Sequence, residues 1–298
     1  MEVNVENLKA KSFDLRQDVL DMIVAAKTGH IGGDMSVIDI LITLYFKQMN
    51  ISPEMADSPN RDRFVLSKGH SVEAYYAVLA AKGFLDIREV IADFSKFGSK
   101  YIGHPYNKLP GIEMNSGSLG HGLPVCVGMA LAGKMEEKDY RIYTVMGDGE
   151  LAEGSVWEGA MAGGHYHLDN LCAVVDRNRL QISGKTESIM AQDIQEERWA
   201  SFGWHVICCD GNDIDALDAA FNEAKEIKGK PTVIIANTIK GYGSSVMENN
   251  AAWHHKVPTQ DEYERIVADF KLRKKIALQK DFALQKDFAV RKETLLHE

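Results

Sequence analysis

The sequence predicts an α/β fold: a doubly wound, mainly parallel sheet with helices on both faces. Three observations carry this expectation. Unbroken apolar runs of strand length recur from residue 141 onward, helical patterns stand between them, and no linker rich in Pro, Ser or Gly divides residues 1–270. Strands that are apolar throughout need cover on both faces, and parallel strands need a crossover, which a helix supplies.

The elements follow in chain order. "ENLKAKSFDLRQDVLDMIVAAK" places apolar residues at helical spacing, with Gly29 as its stop. After the Gly-rich break "TGHIGGD", "SVIDILITLYFKQM" reads as a second helix. "RFVLS" is a short strand, followed by "KGH" and a helix from about Ser71. "GLPVCVGMALAGKMEE" is a helix whose small residues permit close packing. Then the alternation begins: strand "RIYTVMG", helix "SVWEGAMAGGHY", strand "NLCAVVD", loop "RNRLQISGKT", and a helix around Gln192 to Ser201. Strand "HVICCDG", helix "DIDALDAAFNEAKEI" and strand "PTVIIANT" complete it. Residues 1–270 are expected to form one domain. Residues 271–298 are expected as a tail, helical or partly disordered, in which "ALQKDF" occurs twice in tandem.

Composition narrows the function. A net charge of −9 over 298 residues argues against nucleic acid as a partner. No apolar stretch approaches the ~18 residues of a membrane helix, and "MEVNVENLKAKS" lacks the features of a secretory leader. Cys126, Cys172, Cys208 and Cys209 sit in apolar runs without metal-ligand spacing and read as reduced core residues of a cytoplasmic protein.

The chemistry is expected at the carboxyl ends of the strands, where open parallel sheets bind ligands. Asp148, between Gly147 and Gly149, ends one strand, and Asn178 follows the next, thirty residues on. "GDG" alone is more often only a turn; the second strand end changes that reading. A carboxylate, an amide oxygen and a loop carbonyl make a partial shell for Mg²⁺, which shares its oxygens with phosphates. The glycines let a phosphate approach main-chain N–H groups. Histidines are the second signal. His30, His70, His104 and His121 each follow a glycine in a loop, and "AAWHHKVP" adds His254 and His255. Loop histidines suit proton transfer and sugar hydroxyls. Zinc is disfavoured, since no pair has helical i, i+4 spacing or a Cys partner.

With these residues the sequence resembles the amino-terminal, diphosphate-binding part of transketolase over residues 7–260. The motifs are "TGHIGG", "SKGHS", "GHPY", "GSLGHGL", "GDGELAEGSVWEGA", "DRNRLQISG" and "KGYGSSVMENNAAWH". The resemblance implies the thiamine-diphosphate-binding fold. It implies that Asp148, Asn178 and the carbonyl of Leu180 hold Mg²⁺, with Ca²⁺ or Mn²⁺ as substitutes. Lys68, His70, Gly149, Lys240 and His254 would line the diphosphate or the adjoining substrate channel. Gly117 and Leu119 would contact the cofactor's ring region. His30, His70, His104 and His254 would be the catalytic histidines, binding ketose hydroxyls and moving protons. Glu153 and Glu158 match glutamates buried at the family's subunit interface, Glu153 in a cofactor-binding role. Departures are Ile31 in place of a usual proline, Ser183 in place of a frequent Asp, and His255 in place of a common Gly.

The implied reaction is transfer of a two-carbon ketol unit from a ketose with a distal anion, a phosphate or a sulfonate, to an aldose. Full-length relatives continue into a pyrimidine-binding domain. The expectation is therefore a split enzyme, an α2β2 heterotetramer whose second chain carries that domain. The competing readings are another thiamine-diphosphate enzyme (a 2-oxoacid dehydrogenase component or a deoxyxylulose phosphate synthase), a non-catalytic stabilising subunit, or a Mg²⁺-dependent phosphate-ester hydrolase. The hydrolase lacks a second acidic cluster. Retention of Asp148, Asn178 and the loop histidines argues against a non-catalytic subunit.

Overall fold

The apolar runs become the strands of one sheet. The structure is a computed structural model and describes residues 7–295, with side chains through residue 279. Its strands are β1 (Arg63–Leu66), β2 (Ile142–Gly147), β3 (Leu171–Arg177), β4 (Leu180–Gln181), β5 (Gly184–Lys185), β6 (His205–Asp210) and β7 (Thr232–Asn237). All but β4 and β5 join a parallel sheet of order β1-β2-β3-β7-β6; β4 and β5 pair as a small antiparallel hairpin. The sheet is the arrangement expected from the sequence. The hairpin lies where the sequence predicts only a loop.

The helices are α1 (Leu8–Ala26), α2 (Ile31–Thr43), α3 (Val72–Ala81), α4 (Ile87–Asp93), α5 (Gly122–Met135), α6 (Gly154–His165), α7 (Thr186–Ile189), α8 (Gln195–Ser201), α9 (Ile214–Glu226) and α10 (Gln260–Leu295). They cover both faces because successive strand side chains point to opposite sides. Tyr143, Val145, Cys172, Val174 and Ile234 face a core closed by α1, α2, α3 and α9. Ile142, Met146, Leu171, Ala173 and Val175 face a second core closed by α5, α6 and α8. Each fully buried Val, Ile or Leu here contributes about 1.5–3 kcal/mol.

Some boundaries differ from the sequence expectation. α2 begins at Ile31, inside the supposed Gly-rich break. Gly32 and Gly33 serve close approach there. A Cβ at Gly32 would lie 2.5 Å from the Trp253 carbonyl oxygen, and one at Gly33 would lie 3.0 Å from Ser71 Oγ. α1 ends before Gly29, with Lys27 as a left-handed cap at φ +57°. α4 and the start of α10 have no counterpart in the sequence reading. α10 packs on α1, with Phe13 and Phe270 ring centroids 6.4 Å apart and Tyr263 Oη donating to Asp21 at 2.8 Å. The second "ALQKDF" copy lies outside the described side chains. Cys126 and Cys172 are buried, whereas Cys208 is exposed. β6 is an edge strand, which leaves that position open to solvent. Among the described residues no helix is long and apolar enough to cross a membrane.

Candidate active site

β2 and β3 are neighbours in register, with Gly147 opposite Asp176, so their carboxyl ends deliver Asp148 and Asn178 side by side. Asp148 is buried, and its two oxygens accept from Gly149 N at 2.8 Å and Arg179 N at 2.6 Å. Arg179 holds φ at +63°, the left-handed region, which costs a non-glycine residue roughly 1 kcal/mol. That turn aims the Arg179 N–H back at Asp148. Asn178 Oδ1 accepts from Leu180 N at 3.1 Å. Burial, and then repulsion from Asp176, pushes the Asp148 carboxyl up to about 6.

Asp176, at the end of β3, organises the floor. It accepts from Ser36 Oγ and Lys68 Nζ, both at 2.6 Å, and from Thr238 Oγ1. Lys68 also donates to the Gly33 carbonyl at 3.0 Å. Lys240 is different. It is only 2 % exposed, and its Nζ lies 3.0 Å from His254 Nδ1. Among the described residues it forms no ion pair. Burial, and next the neighbouring Lys68, lowers it to about 8.

The histidines converge above this floor. The His30 ring lies 5.4 Å from His70, 5.7 Å from His254, 6.5 Å from His104 and 4.7 Å from His255. Burial, reinforced by surrounding positive groups, lowers His30 to about 4, lowers His254 to about 3 and depresses His70. Burial also lowers His104. The three innermost imidazoles are thus neutral near pH 7, able to accept a proton from a hydroxyl or return one.

One cavity of about 370 Å³ is lined by His30, Lys68, His70, Gly117, Leu119, Asp148, Gly149, Asn178, Leu180, Lys240 and His254. These are the residues singled out from the sequence. His104 stands beside them, its ring against Gly117. Of the "WHH" pair, His254 lines the cavity. His255 is exposed and turns to Thr28, with Nε2 3.4 Å from Oγ1. His121 is exposed and contacts Ser118 and the Leu119 carbonyl. Glu153 and Glu158 are exposed on this chain and do not line the cavity.

The buried glutamate at this edge is Glu150, which the sequence motifs did not single out. It accepts from Ser67 Oγ, from Gly120 N at 2.8 Å and from Gly147 N at 3.1 Å. It thereby braces the "GDG" turn against the loop carrying Gly117 and Leu119. The sequence motifs do not single out Asp176 and Ser36 either. A carboxylate ending the apolar run "LCAVVD" was the available signal for Asp176.

The donors suit a hard cation with a phosphate ligand. Asp148 keeps two lone-pair positions beyond its two main-chain bonds, and Asn178 keeps one. Among the described residues no three His, Cys, Asp or Glu side chains are grouped to hold an ion. An ion here would rely on one carboxylate, one amide and a main-chain carbonyl, and would leave positions open for phosphate oxygens. Lys240 supplies positive charge on the facing wall.

The family profile described as transketolase, thiamine diphosphate binding domain, matches residues 9–295. The chain belongs to this family. It is 48% identical over 271 residues to an apulose-4-phosphate transketolase subunit of Phocaeicola vulgatus, covering 91% of this chain and 96% of that one. It is 41% identical to the 6-deoxy-6-sulfo-D-fructose transketolase subunit SqwG of a Clostridium species, covering 86% and 94%. Among solved structures, Pichia stipitis transketolase in complex with sedoheptulose-7-phosphate superposes with a TM-score of 0.80 at 29% identity, covering 97% of this chain and 47% of that one. The chain thus spans about half the length of that transketolase chain and nearly all of the two transketolase subunits.

Proposed function

We propose that this chain is the diphosphate-binding subunit of a two-chain, Mg²⁺-dependent transketolase. The observation that carries the reading is that one small cavity is lined by a buried carboxylate and a buried ammonium, neither of which forms an ion pair among the described residues. Asp148, Asn178 and the Leu180 carbonyl would hold Mg²⁺. Lys240, Lys68 and the Gly149 main chain would hold the diphosphate. Thiamine diphosphate, when bound, supplies an electron sink for breaking a carbon–carbon bond beside a carbonyl. The protein's own contribution is positional and protonic. Neutral His30, His70 and His254, with His104, would orient the ketose hydroxyls and take or return their protons. Gly117 and Leu119 would seat the cofactor ring, and Glu153 and Glu158 would become covered in the assembly.

The subunit relatives are named for sugars bearing a distal phosphate or sulfonate, and they support a donor ketose of that class here. Their naming as subunits supports a second chain with the pyrimidine-binding domain, assembled as α2β2. The test is to co-express the chain with the neighbouring reading frame and assay ketol transfer with thiamine diphosphate and Mg²⁺. Activity is expected only from the mixture. Pyruvate decarboxylation without ketol transfer, or full turnover by the 298-residue chain alone, would refute the proposal.

A further inference from the structure

Behind the histidines lie two carboxyl groups that no step above uses. Asp34, in the first turn of α2, is fully buried, and Glu73, in the first turn of α3, is 1 % exposed. Each reaches into the other's segment. Asp34 Oδ1 accepts from Ala74 N at 3.1 Å, and Glu73 Oε1 accepts from His30 N at 3.1 Å. The bonds are reciprocal: the helix that follows His30 caps the helix that follows His70, and the reverse. The surroundings are shaped for this crossing. A Cβ at Gly29, where φ is +150°, would lie 2.5 Å from Glu73 Oε1. A Cβ at Gly33 would lie 3.0 Å from Ser71 Oγ, in the segment that carries His70.

The remaining oxygens, Asp34 Oδ2 and Glu73 Oε2, are buried and have no hydrogen-bond partner among the described residues, and the two side chains act on each other. Among the described residues neither forms an ion pair: of the two ammonium groups that act on Asp34, Lys68 is committed to Asp176 and Lys240 contacts His254. Two adjacent buried carboxylates cannot both stay ionised without a cation. A single proton between them satisfies both free oxygens and leaves one net charge. Burial raises both carboxyls, with mutual repulsion adding to the effect on Glu73.

We propose that Asp34 and Glu73 form a proton-sharing clasp that fixes the His30 loop against the His70 segment, making both positioning residues for the substrate histidines. The clasp rests on the function proposed above only in assigning His30 and His70 to substrate. Its geometry and charge are separately testable on the full chain.

The charge test is native capillary electrophoresis at pH 8, with exposed Glu226→Gln as the reference for loss of one charge. Glu73→Gln and Asp34→Asn are each expected to leave the charge unchanged, while the double variant loses one. A one-charge shift in either single variant overturns the shared proton. The positioning test is amide hydrogen exchange at His30 and ketol transfer by the two-chain complex. Glu73→Leu is expected to expose the His30 amide at least about tenfold and to lower kcat about a hundredfold, the cost of misplacing a reacting group by around 1 Å. Glu73→Gln, which keeps an acceptor for the His30 N–H, is expected to restore the protection and at least about tenfold of the lost kcat. If Glu73→Leu keeps both protection and kcat, the clasp does not position His30. If Glu73→Leu does not fold, Glu73→Gln decides: exchange at His30 as slow as in the unaltered chain supports the clasp, and loss of protection overturns it. A wild-type complex without ketol transfer would sink the proposed function and leave the charge and exchange results to decide the clasp.

Discussion

Two cavities open along the carboxyl edge of the same sheet, and the smaller one carries the site. The larger, about 1030 Å³, lies beyond β6 and β7 and is lined by Lys9, Asp39, Asn212, Tyr242 and Arg273, among others. The smaller, about 370 Å³, lies beyond β2 and β3. Their charges differ in kind. In the larger one each cation has its anion: Lys9 pairs with Asp213 and Asp215, and Arg273 pairs with Glu248 at 2.7 Å. In the smaller one, among the described residues, Lys240 contacts an imidazole and Asp148 main-chain N–H groups, and neither forms an ion pair. Size says how much could fit. Buried charge without an ion-pair contact says what kind of ligand is favoured, because an ion in a low-dielectric site gains most from a partner of opposite charge that touches it.

Four measurements put this contrast at risk. The largest effect is expected from Asp148→Asn, which keeps the shape and removes the charge. Mg²⁺-dependent affinity for thiamine diphosphate should fall by about 2–4 kcal/mol, or roughly 30- to 1,000-fold, by titration calorimetry of the complex. Near-normal affinity would mean that the cation is held elsewhere.

Lys240→Met comes next. Losing a charge-assisted contact to the diphosphate should weaken binding by about 1.5–3 kcal/mol. The ligand-free chain should become more stable, by about 1–3 kcal/mol in chemical denaturation, since a buried unpaired ammonium is replaced by an apolar chain of similar size. A variant that loses stability would show that Lys240 is satisfied without a ligand.

The pH dependence follows from the same two groups. Asp148 must be ionised to hold a cation, so affinity should fall as pH drops below about 6. Lys240 must be protonated to hold an anion, so affinity should fall as pH rises above about 8. Binding rates measured on the free chain should show this bell, and Lys240→Met should lose the alkaline limb while keeping the acid one. A flat profile between pH 5 and pH 9 would separate binding from both groups.

The smallest effect is expected in the larger cavity. Arg273→Met breaks a partly exposed ion pair worth about 0–1 kcal/mol and should leave cofactor affinity within about twofold. If it weakens binding as much as Lys240→Met, the distinction between the cavities fails.

Much of this site is legible in the sequence. Asp148 and Asn178 are the first residues after β2 and β3, whose apolar runs read directly as strands, so their meeting follows from the rule that neighbouring parallel strands end at one edge. The loop histidines are legible as candidates but not as a cluster, since forty residues separate His30 from His70. Glu150 is hidden because it stands one residue after "GDG", in a turn where either burial or exposure is open. Gly32 and Gly33 mislead. In sequence they look like a helix breaker, and only the approach of Trp253 and Ser71 turns them into the first turn of α2. Asp34 and Glu73 carry no signal at all, because an acidic residue in the first turn of a helix is favourable on a solvent-exposed face too.

Local periodicity and residue type were enough to set the alternating α/β order, the edge at which chemistry occurs and the oxygen donors for a cation, because none of these needs a distant neighbour. Which charges are compensated was settled in three dimensions. Lys68 and Lys240 are the same residue type beyond two strand ends, yet among the described residues one forms an ion pair with Asp176 and the other contacts His254. Partnership between charges is set by distances across the fold, and at those ranges a few ångströms separate a paired ion from one that waits for a ligand.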